Sequence, residues 1–264
     1  MSDFTLAELM IVAAAEAWRH DDELLATGIG TLPRIACGLA RLTMNDRLMM
    51  TDGECFAVEE PVRIGDSAAE RPGFSGWLPY QRIFDCLWSG RRHAMVTPVQ
   101  IDRWAQTNIS ALGDFHKPKV QMLGARGFPG NSISHRNSML VTSHTPRTFV
   151  PDEVDVVCSV GFSGRRWPQG ATPIIPDIGI IVTDLCVMDF DGPDYSAQVR
   201  SLHPGVSFEQ VKAQTGFEIL AAPGMTETPA PTAEQLEVIA ALDPRDERSK
   251  AIKGNPAGIR KQAA

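Results

Sequence analysis

Two short stretches hold the residues with the most chemical potential. Residues 120–123 read as a short apolar strand that runs into Gly124, Ala125, Arg126, Gly127, Phe128, Pro129, Gly130 and Asn131. A strand end followed by several glycines lets backbone N–H groups approach a ligand closely and form an anion-holding nest. In α/β sheets, ligands gather beyond the carboxyl ends of strands. A glycine-proline surface loop would read the same way, but Arg126 favours a site, because a guanidinium offers bidentate recognition of carboxylate or enolate oxygens. The second stretch is Thr51-Asp52-Gly53-Glu54, directly after an apolar strand over 47–50. Acidic residues at a turn are ordinarily just solvated. Two loops of opposite charge on one sheet would nevertheless make a shared cleft.

Other chemistries fit less well. The six histidines (His20, His93, His116, His135, His144, His203) show no HxH or HExxH spacing, so metal ligation is not expected. His135 alone lies near the glycine-rich loop. The five cysteines (Cys37, Cys55, Cys86, Cys158, Cys186) are widely spaced, mostly within apolar runs, and read as buried free thiols. No GxSxG elbow exists for a serine hydrolase. Gly28-Ile29-Gly30 invites a dinucleotide-binding reading, but proline stands in place of the third glycine, which favours a plain strand-to-helix turn.

The elements that must position these loops are legible. Thr5 and Glu8 form a capping box before an apolar run with helical spacing. A strand over 23–27, a helix over 33–42 with proline in its first turn, and the strand over 47–50 complete an αβαβ start. Strands are predicted over 93–99, 138–143 and 154–157, a hairpin over 179–190, and a strand over 195–202. Ser207/Gln210 and Thr232/Gln235 are capping boxes that open two later helices. Phe74, Trp77 and Trp88 lie in the run 73–90 and suit either core or partner packing, with core expected for Trp88. The expected organisation is one domain over 1–244 and a basic, frayed tail over 245–264.

The chain has 264 residues, 43% hydrophobic and 22% charged, with a net charge of -7. That sign argues against nucleic acid as a partner, since phosphate binding needs a basic face. No run approaches the ~20 apolar residues of a membrane helix, and no basic n-region or cleavage site marks the N-terminus. A cytoplasmic protein is expected.

The arrangement resembles the beta subunit of family I CoA-transferases, the glutaconate type especially, over about residues 1–220. Gln100-Ile101-Asp102, Asn108, residues 112–119 and residues 149–162 carry the likeness. The resemblance implies an open α/β/α sandwich with a mixed sheet. It also implies an alpha-subunit partner in an α2β2 complex and no bound cofactor, the CoA being carried by the substrate. In that family a catalytic glutamate stands where this chain has Thr51, and a small-residue GSGGA loop stands where Arg126 and Phe128 interrupt. A threonine hydroxyl cannot form the mixed anhydride that transfer requires. These departures resemble a narrower branch, the beta subunits of steroid ring-opening CoA hydrolases (the IpdAB type), through residues 48–54, 76–79, 90–93, 100–113, 126–131 and 190–206. That likeness implies hydrolytic ring opening of a cyclohexenone-carboxyl-CoA, with the catalytic glutamate on the alpha subunit. In it Arg126 would serve the oxyanion or substrate carboxylate and the 124–131 backbone the thioester region. Asp52 or Glu54 would give polar support. A glutaconate-type transferase and a non-catalytic structural subunit are the alternatives.

Overall fold

The computed structural model describes residues 3–53, 56–66, 73–170 and 175–258. The chain divides into two compact units, residues 1–96 with 229–264 and residues 97–228, where the sequence suggested one domain.

In the first unit, Thr5 caps α1 (Leu6–Ala15) reciprocally. Its hydroxyl accepts from the Glu8 N–H and its own N–H donates to the Glu8 carboxylate at 2.8 Å. Every residue of α1 except Glu8 is buried, as expected of a helix that is apolar all round. β1 (Leu25–Gly28) leads into α2 (Thr31–Thr43), with Pro33 in its first turn. β2 (Met50–Thr51), β3 (Phe56–Val58) and β4 (Phe74–Trp77) form a small antiparallel sheet, β3 in the middle. After α3 (Tyr80–Trp88), β5 (Arg92–Val96) returns parallel to β1. A C-terminal helix, Ala233–Leu242, is capped by Thr232 and Gln235 and packs Leu242 beside Gly38 of α2.

The tail is not frayed over its described residues. Arg248 reaches Glu8 at 3.1 Å and Asp243 at 3.2 Å, and Asp243 is fully buried. The Leu6 N–H donates to the Pro256 carbonyl and the Gly258 N–H to the Phe4 carbonyl, both at 2.8 Å. Of the basic residues that suggested a solvated tail, Arg248 serves carboxylates of the unit's own interior, while Lys250 pairs with Glu247 at 2.7 Å on the surface.

The second unit begins with two short antiparallel pairs, β6 (Gln100–Ile101) with β7 (Thr107–Asn108) and β8 (Ala111–Leu112) with β9 (Val120–Gln121). After α4 (Phe128–Ser134) come five successive strands of one mixed sheet: β10 (Arg136–Val141), β11 (Ile178–Thr183), β12 (Cys186–Asp189), β13 (Gln198–Leu202) and β14 (Leu220–Glu227), with α5 (Phe208–Ala213) before the last strand. β10 runs parallel to β11 and β13 parallel to β14, while β12 runs antiparallel to both neighbours. The hairpin predicted over 179–190 is therefore present. Thr183 makes its turn, its hydroxyl accepting from the Leu185 and Cys186 N–H groups at 3.1 Å. No strand forms over 154–157. There the Asp155 N–H donates to the Gln100 side chain and the Asp155 carboxylate accepts from the Gly113 N–H, so side chains satisfy what a ladder would otherwise have satisfied.

Candidate active site

The Thr51 loop belongs to the first unit. Thr51 pairs with Ala57 across β2 and β3, and its hydroxyl accepts from the Gly53 N–H at 3.3 Å. Gly53 takes φ +86°, with open space where a Cβ would stand. Asp52 is buried, and its carboxylate accepts from the Phe56 N–H at 3.2 Å while the Asp52 N–H donates to the Phe56 carbonyl at 3.0 Å. Asp52 thus closes its own hairpin. Glu54 lies outside the described residues.

The glycine-rich stretch belongs to the second unit. It does not follow a core strand, because β9 is two exposed residues paired only with β8. The two loops accordingly do not share one sheet, as the sequence reading supposed: β2 belongs to the small antiparallel sheet of the other unit. Gly124 takes φ +85° and Arg126 φ +54°, a left-handed conformation that costs a non-glycine residue on the order of 1 kcal/mol. Strain of that kind persists where surrounding structure imposes it. Here the Ala125 carbonyl accepts from the Phe128 N–H at 3.0 Å, and buried Phe128 anchors the start of α4.

Gly127 is the helix N-cap, without a side-chain cap. Pro129, Gly130 and Asn131 lie within the first turns of α4 and not in a loop. Asn131 donates its N–H to the Gly127 carbonyl at 3.1 Å and accepts from the Asn137 side chain through its own carbonyl. The loop part of this stretch therefore reduces to the 124–127 turn. Arg126 is exposed and, among the described residues, makes no hydrogen bond or ion pair, so its fork is available for an oxyanion. His135 is buried, with Nδ1 donating to the Arg136 carbonyl at 2.9 Å.

One group escaped the sequence reading. Residues 102–106 make a tight turn between β6 and β7 with Ala105 at φ +62°, and a Cβ on Gly161 would stand 2.1 Å from the Trp104 carbonyl. Asp102 is buried in this turn. One carboxylate oxygen accepts from the Trp104 and Gln106 N–H groups at 2.9 Å, and the other has no partner among the described residues. Burial pushes this carboxyl up to about 6, against the pull of those two donors. No glycine marks the turn in the sequence, so only the threaded backbone reveals it. Burial likewise pushes the Cys37 and Cys186 thiols up to about 12, which leaves both unreactive. Among the described residues, no group of His, Cys, Asp or Glu is arranged to hold a metal, and no helix is long and apolar enough to cross a membrane.

No family model matches the chain. Individual relatives do. The cholesterol ring-cleaving hydrolase IpdB subunit of Rhodococcus jostii is 38% identical over 253 residues, covering 96% of this chain and 98% of that one. The 3-oxoadipate CoA-transferase of Pseudomonas knackmussii has a subunit 34% identical over 253 residues, covering 93% of this chain and 95% of that one. In the crystal structure of Rhodococcus jostii IpdAB, one chain superposes with a TM-score of 0.86 at 37% identity, covering 95% of this chain and 99% of that one. The identity runs from end to end, and the same mixed-sheet scaffold carries it. The chain belongs to the family I CoA-transferase-like beta subunits, in the branch of the cholesterol ring-cleaving hydrolase IpdB subunits.

Proposed function

We propose that this chain is the beta subunit of a cytoplasmic α2β2 acyl-CoA hydrolase that opens the last ring of a steroid-derived cyclohexenone-carboxyl-CoA. The observation that carries this reading is the end-to-end likeness to the ring-cleaving subunit, 38% identical across 98% of its length. Water adds to the carbon β to the thioester, and a retro-aldol step then breaks the ring C–C bond. The carbanion left behind is flanked by a ketone and a thioester carbonyl, so its charge settles on oxygen. Such a step needs a base for the water and donors for the enolate. The base is a glutamate of the alpha subunit. This chain supplies Arg126, held in a left-handed turn with no competing carboxylate among the described residues, and the 124–127 backbone beside the thioester. CoA arrives on the substrate, and no resident cofactor is required.

A second reading, CoA transfer, is favoured by the 34% identity to the 3-oxoadipate transferase chain. Thr51 opposes it. Its hydroxyl is engaged by the Gly53 N–H, and an alcohol cannot form the acyl anhydride. Co-expression with the alpha subunit and assay on steroid-derived cyclohexenone CoA esters tests the choice. Ring-opened product without exchange of labelled CoA between acyl donors is expected, and robust exchange without ring opening overturns the reading.

A further inference from the structure

The first unit leaves five aromatic side chains in solvent within fifteen residues. Phe74 and Trp77 on β4 are 51% and 70% exposed, and Tyr80, Phe84 and Trp88 on α3 are 72%, 39% and 68% exposed. Tyr80, Phe84 and Trp88 recur every four residues and so form one stripe along the helix. Leu87 is the only buried residue of α3, so this helix lies on its unit without burying its aromatic face. β4 is the outer strand of its sheet, with all four residues exposed and one backbone edge unpaired within that sheet. Phe56 stacks on Phe74 with ring centroids 4.3 Å apart, and Tyr80 meets Phe84 edge-on at 5.2 Å, so the rings form a preset surface.

An aromatic edge strand without a blunting charge is a liability that native proteins cover. Each such side chain can bury roughly 150–250 Å². At these exposures the five together present on the order of 600 Å² of apolar surface. Largest patches on monomers run to about 300–600 Å², whereas each side of a stable complex contributes about 800 Å². The five rings lie at the top of the monomer range and, with a polar rim, approach what one side of a stable complex contributes. The charges beside the stripe do not suit a lipid surface. Arg82 is paired with Asp85 at 2.9 Å on the same helix, and α3 carries no lysine, whereas interfacial helices present unneutralised Lys and Arg.

We infer that β4 and α3, through Phe74, Trp77, Tyr80, Phe84 and Trp88, form the docking surface for the alpha subunit. The inference rests on the heteromeric reading above. The complementary face is apolar, with acceptors for the two indole N–H groups and the phenol.

The test is the complex formed with the cognate alpha subunit, followed by light scattering behind size exclusion and by titration calorimetry. Trp77→Ser with Trp88→Ser is expected to weaken association at least 100-fold, while Ile175→Ser, an exposed apolar residue of the other unit, leaves it unchanged. Circular dichroism of the free variants checks folding. Hydrogen exchange of the wild-type complex needs no variant, and protection of residues 73–90 relative to the free chain is expected. A wild-type complex with that segment unprotected, or with full affinity in the double variant, overturns the surface assignment and leaves the heteromeric reading standing. A wild-type chain that forms no complex, or pairs with itself through this face, overturns both.

Discussion

At the residue scale, Arg126 combines backbone strain with an uncommitted guanidinium, and Asp102 combines burial with a carboxylate oxygen that has no partner among the described residues. Arg126 sits at φ +54° with its guanidinium in solvent. If it stabilises charge that develops as the ring opens, Arg126→Ala lowers kcat by ~10²–10³-fold with a smaller change in KM, the pattern of an oxyanion donor. Arg126→Lys recovers only part of the rate, because a point charge lacks the planar fork. Steady-state kinetics of the complex separates this from a carboxylate-gripping role, in which KM would carry the change. Thr51→Glu is expected to impair ring opening without creating transferase activity, since Arg126 and Phe128 also depart from the transferase loop; a trappable glutamyl-CoA adduct with rapid exchange would refute it. Asp102 makes a stability prediction. Its folded value of about 6 lies above its unfolded one near 3.8, so the native state holds the proton longer. Its contribution is greatest below pH 4 and is lost as pH rises towards 6 and beyond, on the order of 3 kcal/mol at ~1.4 kcal/mol per unit. Urea unfolding should therefore favour Asp102→Asn over wild type progressively from pH 4 to pH 7. His144 acts in the opposite sense. Burial between Thr183 and Thr215 lowers it to about 3, so its contribution, present above pH 6.5, is lost as pH falls through that window. The difference between variant and wild type, and not wild type alone, isolates Asp102.

At the element scale, the glycines divide by what their missing Cβ would meet. Gly28 ends β1, and a Cβ there would stand 2.2 Å from the Pro33 carbonyl, within the first turn of α2. Gly28 is therefore a packing glycine of a strand-to-helix turn, in keeping with the plain turn that the Gly28-Ile29-Gly30 pattern favoured. Gly28→Ala is expected to cost about 3 kcal/mol, the upper end for overpacking. Gly53 has open space, and Gly53→Ala should cost only the ~1 kcal/mol of a left-handed residue. Chemical denaturation of the two variants compares them directly, and equal losses would remove the distinction. The exposure of Trp88 is explained at this scale too. Its spacing with Tyr80 and Phe84 is that of any core-facing stripe, yet the face it lies on stays in solvent, 68% exposed at Trp88 itself.

At the scale of the whole molecule, the two ends of the first unit are tied together by charge. Arg248 bridges Glu8 of the capping box and buried Asp243, and the chain near Pro256 and Gly258 hydrogen-bonds to the backbone at the start of α1 and just ahead of it. Removing one member of a largely buried pair leaves the others unpaired. Arg248→Met should cost ~3 kcal/mol, at the lower end of the range for such losses. Truncation after residue 244 should cost more, because the backbone bonds go too. Thermal unfolding of both tests this, and a truncated chain as stable as wild type would return residues 245–258 to the status of a loose tail.

The sequence by itself determined the local elements and the lineage. Three capping boxes, at Thr5, Ser207 and Thr232, open helices where the Thr/Ser-x-x-Glu/Gln spacing put them, because reciprocal side-chain bonds act over three residues and need no tertiary partner. The αβαβ start and the Thr183 hairpin are equally local. The residues at 51–54 and 124–131 stood out as a candidate site through their types, and the departures at Thr51 and Arg126 pointed to the hydrolase branch and away from the transferases. Tertiary structure decided what depends on distant neighbours. It turned Pro129-Gly130-Asn131 into helix, folded Asp52 back into its own turn, and placed the two loops beside separate small sheets. It also buried Asp102 in a glycine-free turn and recruited basic residue Arg248 into a buried ion pair. Burial is the common reason: it is a property of the space around a side chain, and that space is made by residues far away in the chain.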